Sequence, residues 1–335
     1  MLTRRRFLSI AATAGALPLA GARAAGASTR DTILWRGTAM GAEASIRIVH
    51  PDRAFAERLV GRAVAEIDRQ EGIFSLYRGD STLSRLNRDG VVENPPFEFL
   101  ELVGTSLALA RRSDGAFDPT VQPLFRLYAD HFGAVGADPD GPPDEAIAAA
   151  LGRVGHEGVI LDGASVRLAR PGMAVTLNGI AQGYVTDRIA ELLRREGLTS
   201  VLVDLGETRA VGRRGDGEPW RAAVGNPREK DSVLLDLPLG DERGAFPALA
   251  TSAGLGSRFD PAGRHHHIFD PRTGRSAARH LAVAVAAPTA VLADGLSTAL
   301  SVLPEGAGEA LLSLYGPVKA FFVASDGRVS QSAFS

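Results

Sequence analysis

The sequence predicts an α+β fold: a mixed, mainly antiparallel sheet core with flanking helices. Strand-like segments arrive in runs broken by helices rather than in strict strand–helix alternation. Short turn signals such as Asp162-Gly163 and Arg214-Gly215-Asp216-Gly217 join them. The 335 residues, 45% hydrophobic and 23% charged, fit one large domain or two intimate ones, with ample apolar material for a core. Lys and Arg number 37 against 39 Asp and Glu, so the basic stripe of a nucleic-acid binder is missing. With no cysteine there is no disulfide frame, thiolate nucleophile or iron–sulfur cluster. Aromatics at 6% are too sparse for a stacking platform.

The chain opens with Thr3-Arg4-Arg5-Arg6-Phe7-Leu8, an alanine-rich apolar stretch from Leu8 to Leu19, and then Ala22-Arg23-Ala24. A charged head, a short apolar run and a small-x-small site form an export signal. The run is too short to span a bilayer, which takes about 20 residues. The paired arginines followed by Phe-Leu give it the look of a twin-arginine signal over residues 1–24, with a general secretory signal as the plainer alternative. The expectation is a soluble periplasmic protein with a mature domain over residues 25–335 and no transmembrane segment.

Trp35 to Val49 reads as a strand or hairpin interrupted at Gly37-Thr38-Ala39-Met40-Gly41, with Ala44, Ile46 and Ile48 alternating after it. Asp52 to Phe74 has helical spacing, placing Phe55, Leu59, Ala63 and Ile67 on one face. Ser81 to Asn87 is a short capped helical turn, and Asn94-Pro95-Pro96 starts a helix reaching about Ser113. Residues 133–144 are a Gly-, Pro- and Asp-rich loop, after which Pro142-Pro143 opens a helix from Asp144 to Val154. Val159 to Leu161 and Ser165 to Leu168 pair as strands. Ala174 to Leu177 reads as a strand, Asn178-Gly179 as a turn and Ile180 to Glu196 as a helix. Val201 to Val203 is a buried strand, Leu281 to Ala287 another, Ala290 to Val302 a helix, and Ala320 to Val329 a last hairpin.

Four segments carry more chemistry than a plain core needs. In Gly115-Ala116-Phe117-Asp118-Pro119-Thr120, Asp118 either caps the segment after it or joins the main chain in presenting donors and a carboxylate to a ligand. Leu177-Asn178-Gly179-Ile180-Ala181-Gln182-Gly183-Tyr184 places two glycines in a strand-to-helix turn, where a ligand can approach the backbone and a phosphate suits the helix start. His265-His266-His267 cannot all face one metal if extended, so at most one or two face a pocket. The segment is either a solvated loop or the source of an acid/base histidine. Asp294 and Thr298 stand four apart, one above the other on a helix face; oxygen donors of that kind suit magnesium. An N-capping Asp with a back-bonded Thr is the plainer reading of the same spacing.

Taken in order, a set of segments resembles the ApbE family, which moves FMN from FAD onto a protein threonine or serine. The set comprises Thr38-Ala39-Met40-Gly41; Phe74-Ser75-Leu76-Tyr77; Asp80-Ser81-x-Leu83-Ser84-x-Leu86-Asn87; Phe117-Asp118-Pro119-Thr120-Val121; Gly179-Ile180-Ala181-Gln182-Gly183-Tyr184 with Asp187; Ala250-Thr251-Ser252; His267-Ile268-Phe269-Asp270-Pro271-Arg272-Thr273-Gly274; and Ala293-Asp294-x-Leu296-Ser297-Thr298-Ala299. The resemblance implies a T-fold-like α+β domain with the ligand in a central cleft. It implies FAD contacts at Met40, Tyr77, Ala116, Phe117, Asp118, Asn178 and Ile268. It also implies a magnesium ion held by the main-chain carbonyl of Ala181, the Asp294 carboxylate and the Thr298 hydroxyl, with Ser297 close by. Many relatives carry Asp or Gly at position 178 and Lys at 182, where this chain has Asn178 and Gln182; the usual Asn-x-Gly-Gly-Asp/Glu segment is one glycine short at Asp204-Leu205-Gly206-Glu207.

The expected reaction is attack of an acceptor hydroxyl on the FMN-side phosphorus of FAD with loss of AMP, the ion at Asp294 neutralising phosphate charge. His267 is the candidate base, with Asp270 orienting it or its loop. The expected partner is a protein with an Asp-x-x-Ser/Thr-Gly-Ala-Ser/Thr motif, in a membrane respiratory complex facing the periplasm, including the nitrous-oxide respiration type. Asp294 to Ala299 lacks that motif's glycine, so self-modification is not expected. Competing readings are a magnesium-dependent FAD pyrophosphatase, a non-catalytic exported FAD binder and, last, a histidine-based metal chaperone.

Overall fold

Thr32–Ala39 (β1) and Ala42–Val49 (β2) form an antiparallel hairpin turned by Met40 and Gly41 alone. Both turn residues have positive φ, 52° and 82°, the left-handed pair that a two-residue turn between twisted strands requires. The interruption expected over residues 37–41 therefore shrinks to two residues. The computed structural model describes residues 31–226, 228–229, 232–240 and 246–334, so the export signal expected at 1–24 lies outside the described residues.

The first helix, Arg53–Phe74 (α1), starts where the Asp52 side chain accepts from the Phe55 amide at 2.9 Å, and it buries Leu59, Ala63, Ile67 and Phe74. Thr82–Asp89 (α2) is capped in the same way by Ser81. Then come Val91–Glu93 (β3) and Phe97–Arg112 (α3). Gln122–Gly133 (α4) is a helix to which sequence reading assigns no element; it buries Leu124 and Tyr128 under Asp144–Leu151 (α5). Val159–Leu161 (β4) and Ser165–Leu168 (β5) pair as expected, with β3 beside β5. Residues 174–177, expected as a strand, are extended without a ladder partner. The Asn87 side chain takes the place of one, accepting from the Val175 amide (2.6 Å) and donating to its carbonyl (2.8 Å), while the Thr176 amide donates to the Pro119 carbonyl (2.7 Å).

Ala181–Arg195 (α6) leads into Ser200–Asp204 (β6), Thr208–Gly212 (β7), Trp220–Gly225 (β8), Val233–Leu239 (β9) and Ala248–Ser252 (β10). The chain ends with Phe269–Asp270 (β11), Arg275–Ser276 (β12), Ala282–Ala287 (β13), Ala290–Val302 (α7), Glu305–Leu312 (α8), Val318–Val323 (β14) and Val329–Phe334 (β15). One eight-stranded sheet runs β1-β2-β6-β7-β10-β13-β14-β15, antiparallel at every step.

Both faces of that sheet are covered, as the strand period of two allows. Val201, Val203, Val283 and Val285 point into the main core with α1, α6 and α7. Leu202, Leu249, Ala284 and Ala286 point the other way, against Trp220, Val224 and Leu239 of the β8–β9 hairpin. The result is the α+β architecture expected, and it fixes α6 and α7 side by side at the sheet centre.

Candidate active site

The α6–α7 contact is built for closeness. A Cβ on Gly183 would fall 2.3 Å from the Ala290 carbonyl oxygen and 2.8 Å from Asp294 Cβ, so only glycine lets the helices meet there. Asp187 of α6 receives the amides of Ala290 and Val291, both at 2.9 Å, and pairs with Arg209, tying down the start of α7. Four residues into α7, Asp294 accepts from the Gly183 amide at 2.9 Å through Oδ2. The cap of α7 is Thr289, so the plainer N-cap reading of Asp294 does not hold. One turn on, Thr298 Oγ1 donates to the Gly179 carbonyl (3.3 Å), and Ser252 Oγ lies 3.3 Å from Thr298 Oγ1 and 2.8 Å from Ser297 Oγ.

This wall holds two buried acids. Asp294 and Glu207 are 3% and 5% exposed, and neither forms an ion pair among the described residues. Burial pushes both carboxyls up from their ordinary range, and the neighbouring Asp294 charge adds to the effect on Glu207. A buried carboxylate without a cation is costly, and the donors around it are hydroxyls and carbonyls, with no thiolate or imidazole. That chemistry fits a hard divalent ion such as magnesium. No group of three or more His, Asp or Glu poised for a metal occurs among the described residues, so such an ion would depend on the hydroxyl and main-chain oxygens.

The wall closes one side of a cavity of about 420 Å³. Of the residues expected at the site, Tyr77, Ala116, Phe117, Asp118, Asn178, His267, Ile268, Asp294 and Thr298 line it. Met40 and Ala181 do not. The Met40 amide is spent on Glu71 Oε1 at 2.7 Å, and Ala181 is buried at the head of α6. Sequence reading gave no role to Glu207 or Ser252 and passed over Leu255, Arg258 and Phe259, which also line the cavity. For Ser252 the available signals were its place in the family-like segment Ala250-Thr251-Ser252 and small hydroxyl residues ending a buried strand.

The Asp118 carboxylate, in the cavity lining, is held by donors of the chain itself: Oδ1 accepts from the Thr120 amide (2.7 Å) and hydroxyl (2.5 Å), and Oδ2 from the His156 amide (2.9 Å). The three histidines take three environments. His265 packs against Tyr128 and Phe132, and His266 is buried with its pKa lowered by desolvation to about 4. Of the three, only His267 lines the cavity. Its Nδ1 lies 3.0 Å from the Ser257 carbonyl, which can only accept, so the proton sits on Nδ1 and leaves Nε2 with a lone pair. Burial lowers its pKa and favours this neutral form. Asp270 does not orient His267. It pairs with Arg272 and receives the Gly274 amide on its carbonyl (2.8 Å), so it orders the loop instead.

The ApbE family profile matches residues 40–322. The chain belongs to the ApbE family. It is 32% identical to a FAD:protein FMN transferase of Klebsiella pneumoniae (strain 342), over 84% of this chain and 83% of that one. It is 33% identical to another of the same name from Vibrio cholerae, over 82% of each. Among solved structures it resembles the flavin transferase ApbE of Vibrio cholerae (TM-score 0.75, 29% identity, 91% of this chain and 97% of that chain). It also resembles the apo flavinyl transferase ApbE of Pseudomonas stutzeri (TM-score 0.73, 32% identity, 91% and 95%).

On this ApbE chain the shortened Asp204–Glu207 segment still closes the β6–β7 hairpin. Gly206 turns at φ +101°, its amide donates to Asp204 Oδ1 (3.2 Å), and the Leu205 amide donates to the Glu207 carbonyl (3.0 Å). Gln182 lies against this turn. Its Nε2 is buried without a hydrogen-bond partner, and the residue lines the cavity, so a donor is held ready for an acceptor.

Proposed function

We propose that this protein transfers FMN from FAD to a serine or threonine hydroxyl of an acceptor protein and releases AMP. The observation that carries the reading is one cavity enclosing both an uncompensated acidic wall at Asp294 and a neutral imidazole, His267, whose Nε2 is free to take a proton. Names of relatives that share about a third of its residues support the same reaction.

The acceptor hydroxyl attacks the FMN-side phosphorus. The new O–P bond forms as the P–O bond to AMP breaks, and the hydroxyl proton passes to His267 Nε2. A magnesium ion held by the cavity-lining Asp294 and Thr298 would neutralise charge on the phosphates. The side chains supply position. Gln182 Nε2 offers a donor to an oxygen or ring nitrogen of the dinucleotide, and the Tyr77 and Phe117 rings offer apolar surface to its planar groups. Ser257, through its carbonyl, keeps the base in the tautomer the step needs.

The paired arginines of residues 1–24 support work in the periplasm, on an acceptor with the Asp-x-x-Ser/Thr-Gly-Ala-Ser/Thr motif in a membrane redox complex. No helix among the described residues is long and apolar enough to cross a membrane. The test mixes protein, FAD, magnesium and such an acceptor domain. Transfer adds the FMN mass to the acceptor; free FMN would establish a pyrophosphatase, and neither product a carrier.

A further inference from the structure

A four-bond hub behind the cavity wall has no part in the chemistry above. Asp118 and Thr120 lie in the turn after α3, and residues 155–156 lie after α5. Asp118 receives the amide and hydroxyl of Thr120 on Oδ1 and the amide of His156 on Oδ2, while Thr120 Oγ1 accepts from the Gly155 amide at 2.7 Å. The His156 ring completes the hub, with Nδ1 3.3 Å from Asp118 Oδ2 and Nε2 3.5 Å from Glu157 Oε1. Each ring nitrogen therefore faces a carboxylate, and a doubly protonated ring donates to both where a neutral ring donates to one.

The hub holds the cavity in shape. Ala116, Phe117, Asp118 and Pro119 line one wall. The Pro119 carbonyl receives the Thr176 amide (2.7 Å), which ties the turn to the segment leading to Asn178 and Gly179, also in the cavity lining.

We propose that His156 is a positioning residue for dinucleotide binding, and that a second ring proton, set between Asp118 and Glu157, tightens the turn that walls the cavity. The inference rests on the reading that FAD occupies this cavity. The charged groups facing the ring are Asp118 from the turn, Glu157 from its own short helix and Arg111 from the end of α3; Arg111 opposes the ring charge. The hydrogen bond to Asp118 is the largest influence, and it raises the ring above its ordinary value of 6.5. The added hold is thus complete below pH 6.5 and is lost as pH rises through the raised value. By reciprocity, FAD binding and ring protonation favour each other by the same factor.

The experiment titrates FAD binding by flavin fluorescence from about pH 6 to about pH 9, on the full protein and on His156→Gln, which keeps a donor but cannot gain a proton. Affinity of the unaltered protein should fall roughly three- to tenfold more across that range than that of His156→Gln, whose remaining slope belongs to the raised Asp294 and Glu207 carboxyls of the cavity wall. Equal slopes in the two proteins would overturn the inference alone; no FAD binding at any pH would remove the transferase reading with it. If His156→Gln does not fold, the ring of the unaltered protein is followed by NMR with and without FAD. A titration midpoint that rises with FAD supports the inference, and an unmoved midpoint overturns it.

Discussion

The Gly183 amide ends on Asp294 Oδ2 at 2.9 Å. Gly183 sits in the first turn of α6, where amides have no partner within the helix, so a carboxylate of the neighbouring helix satisfies one of them. One bond thus serves the fold and also fixes the direction of an acid in the cavity wall.

Asp294→Asn keeps an acceptor for that amide and removes the charge. The fold should persist, with a thermal midpoint near that of the unaltered protein, while magnesium-dependent AMP release drops by about 100-fold or more. AMP chromatography across a magnesium series checks it. Turnover at the ordinary rate would end the assignment of Asp294.

Gly183→Ala places a methyl group 2.3 Å from the Ala290 carbonyl oxygen, in backbone that cannot rotate away. It should cost about 1–3 kcal/mol in urea unfolding and reduce transfer by displacing Asp294. Unchanged stability and transfer would mean that α6 and α7 part without consequence.

His267→Gln should lower kcat by about 100-fold or more and leave FAD binding nearly intact. The base works unprotonated, and burial lowers its pKa from 6.5, so kcat should fall only as pH drops through a value below 6.5. Rates measured against pH should show that acid limb in the unaltered protein and lose it in the variant. Retention of the limb would assign it to another group.

Asn87→Ala removes the two bonds, 2.6 and 2.8 Å, that stand in for a strand partner at Val175. A loss of about 1–3 kcal/mol is expected, because the Val175 amide and carbonyl are left without partners. Weaker FAD binding should accompany it, since Asn178 and Gly179 come directly after; denaturant unfolding and flavin titration measure the two effects.

Much of this was legible in the chain because it is local. Helical spacing marked α1 and α7, the Asp294/Thr298 pair shared a face by its separation of four, and proline pairs marked the starts of α3 and α5. Residues 305–312 form α8 although two of the eight are glycine, and α4 carries proline in its first turn; neither stood out from loop. Residues 174–177 have strand composition but are held by a side chain from 88 residues earlier. The same distance problem hid the site's supports. Ser252 meets Ser297 across 45 residues and Asp118 meets His156 across 38, and no periodicity encodes such meetings. Asp118 was visible as a residue, but the direction of its carboxylate was not.

The stretch from Leu255 to Phe259 borders the cavity, and in its middle the Ser257 carbonyl sets the His267 tautomer. The same few peptide units therefore both border the cleft and aim the imidazole, so a substitution anywhere in that stretch reaches the shape of the cleft and the ring's proton at once.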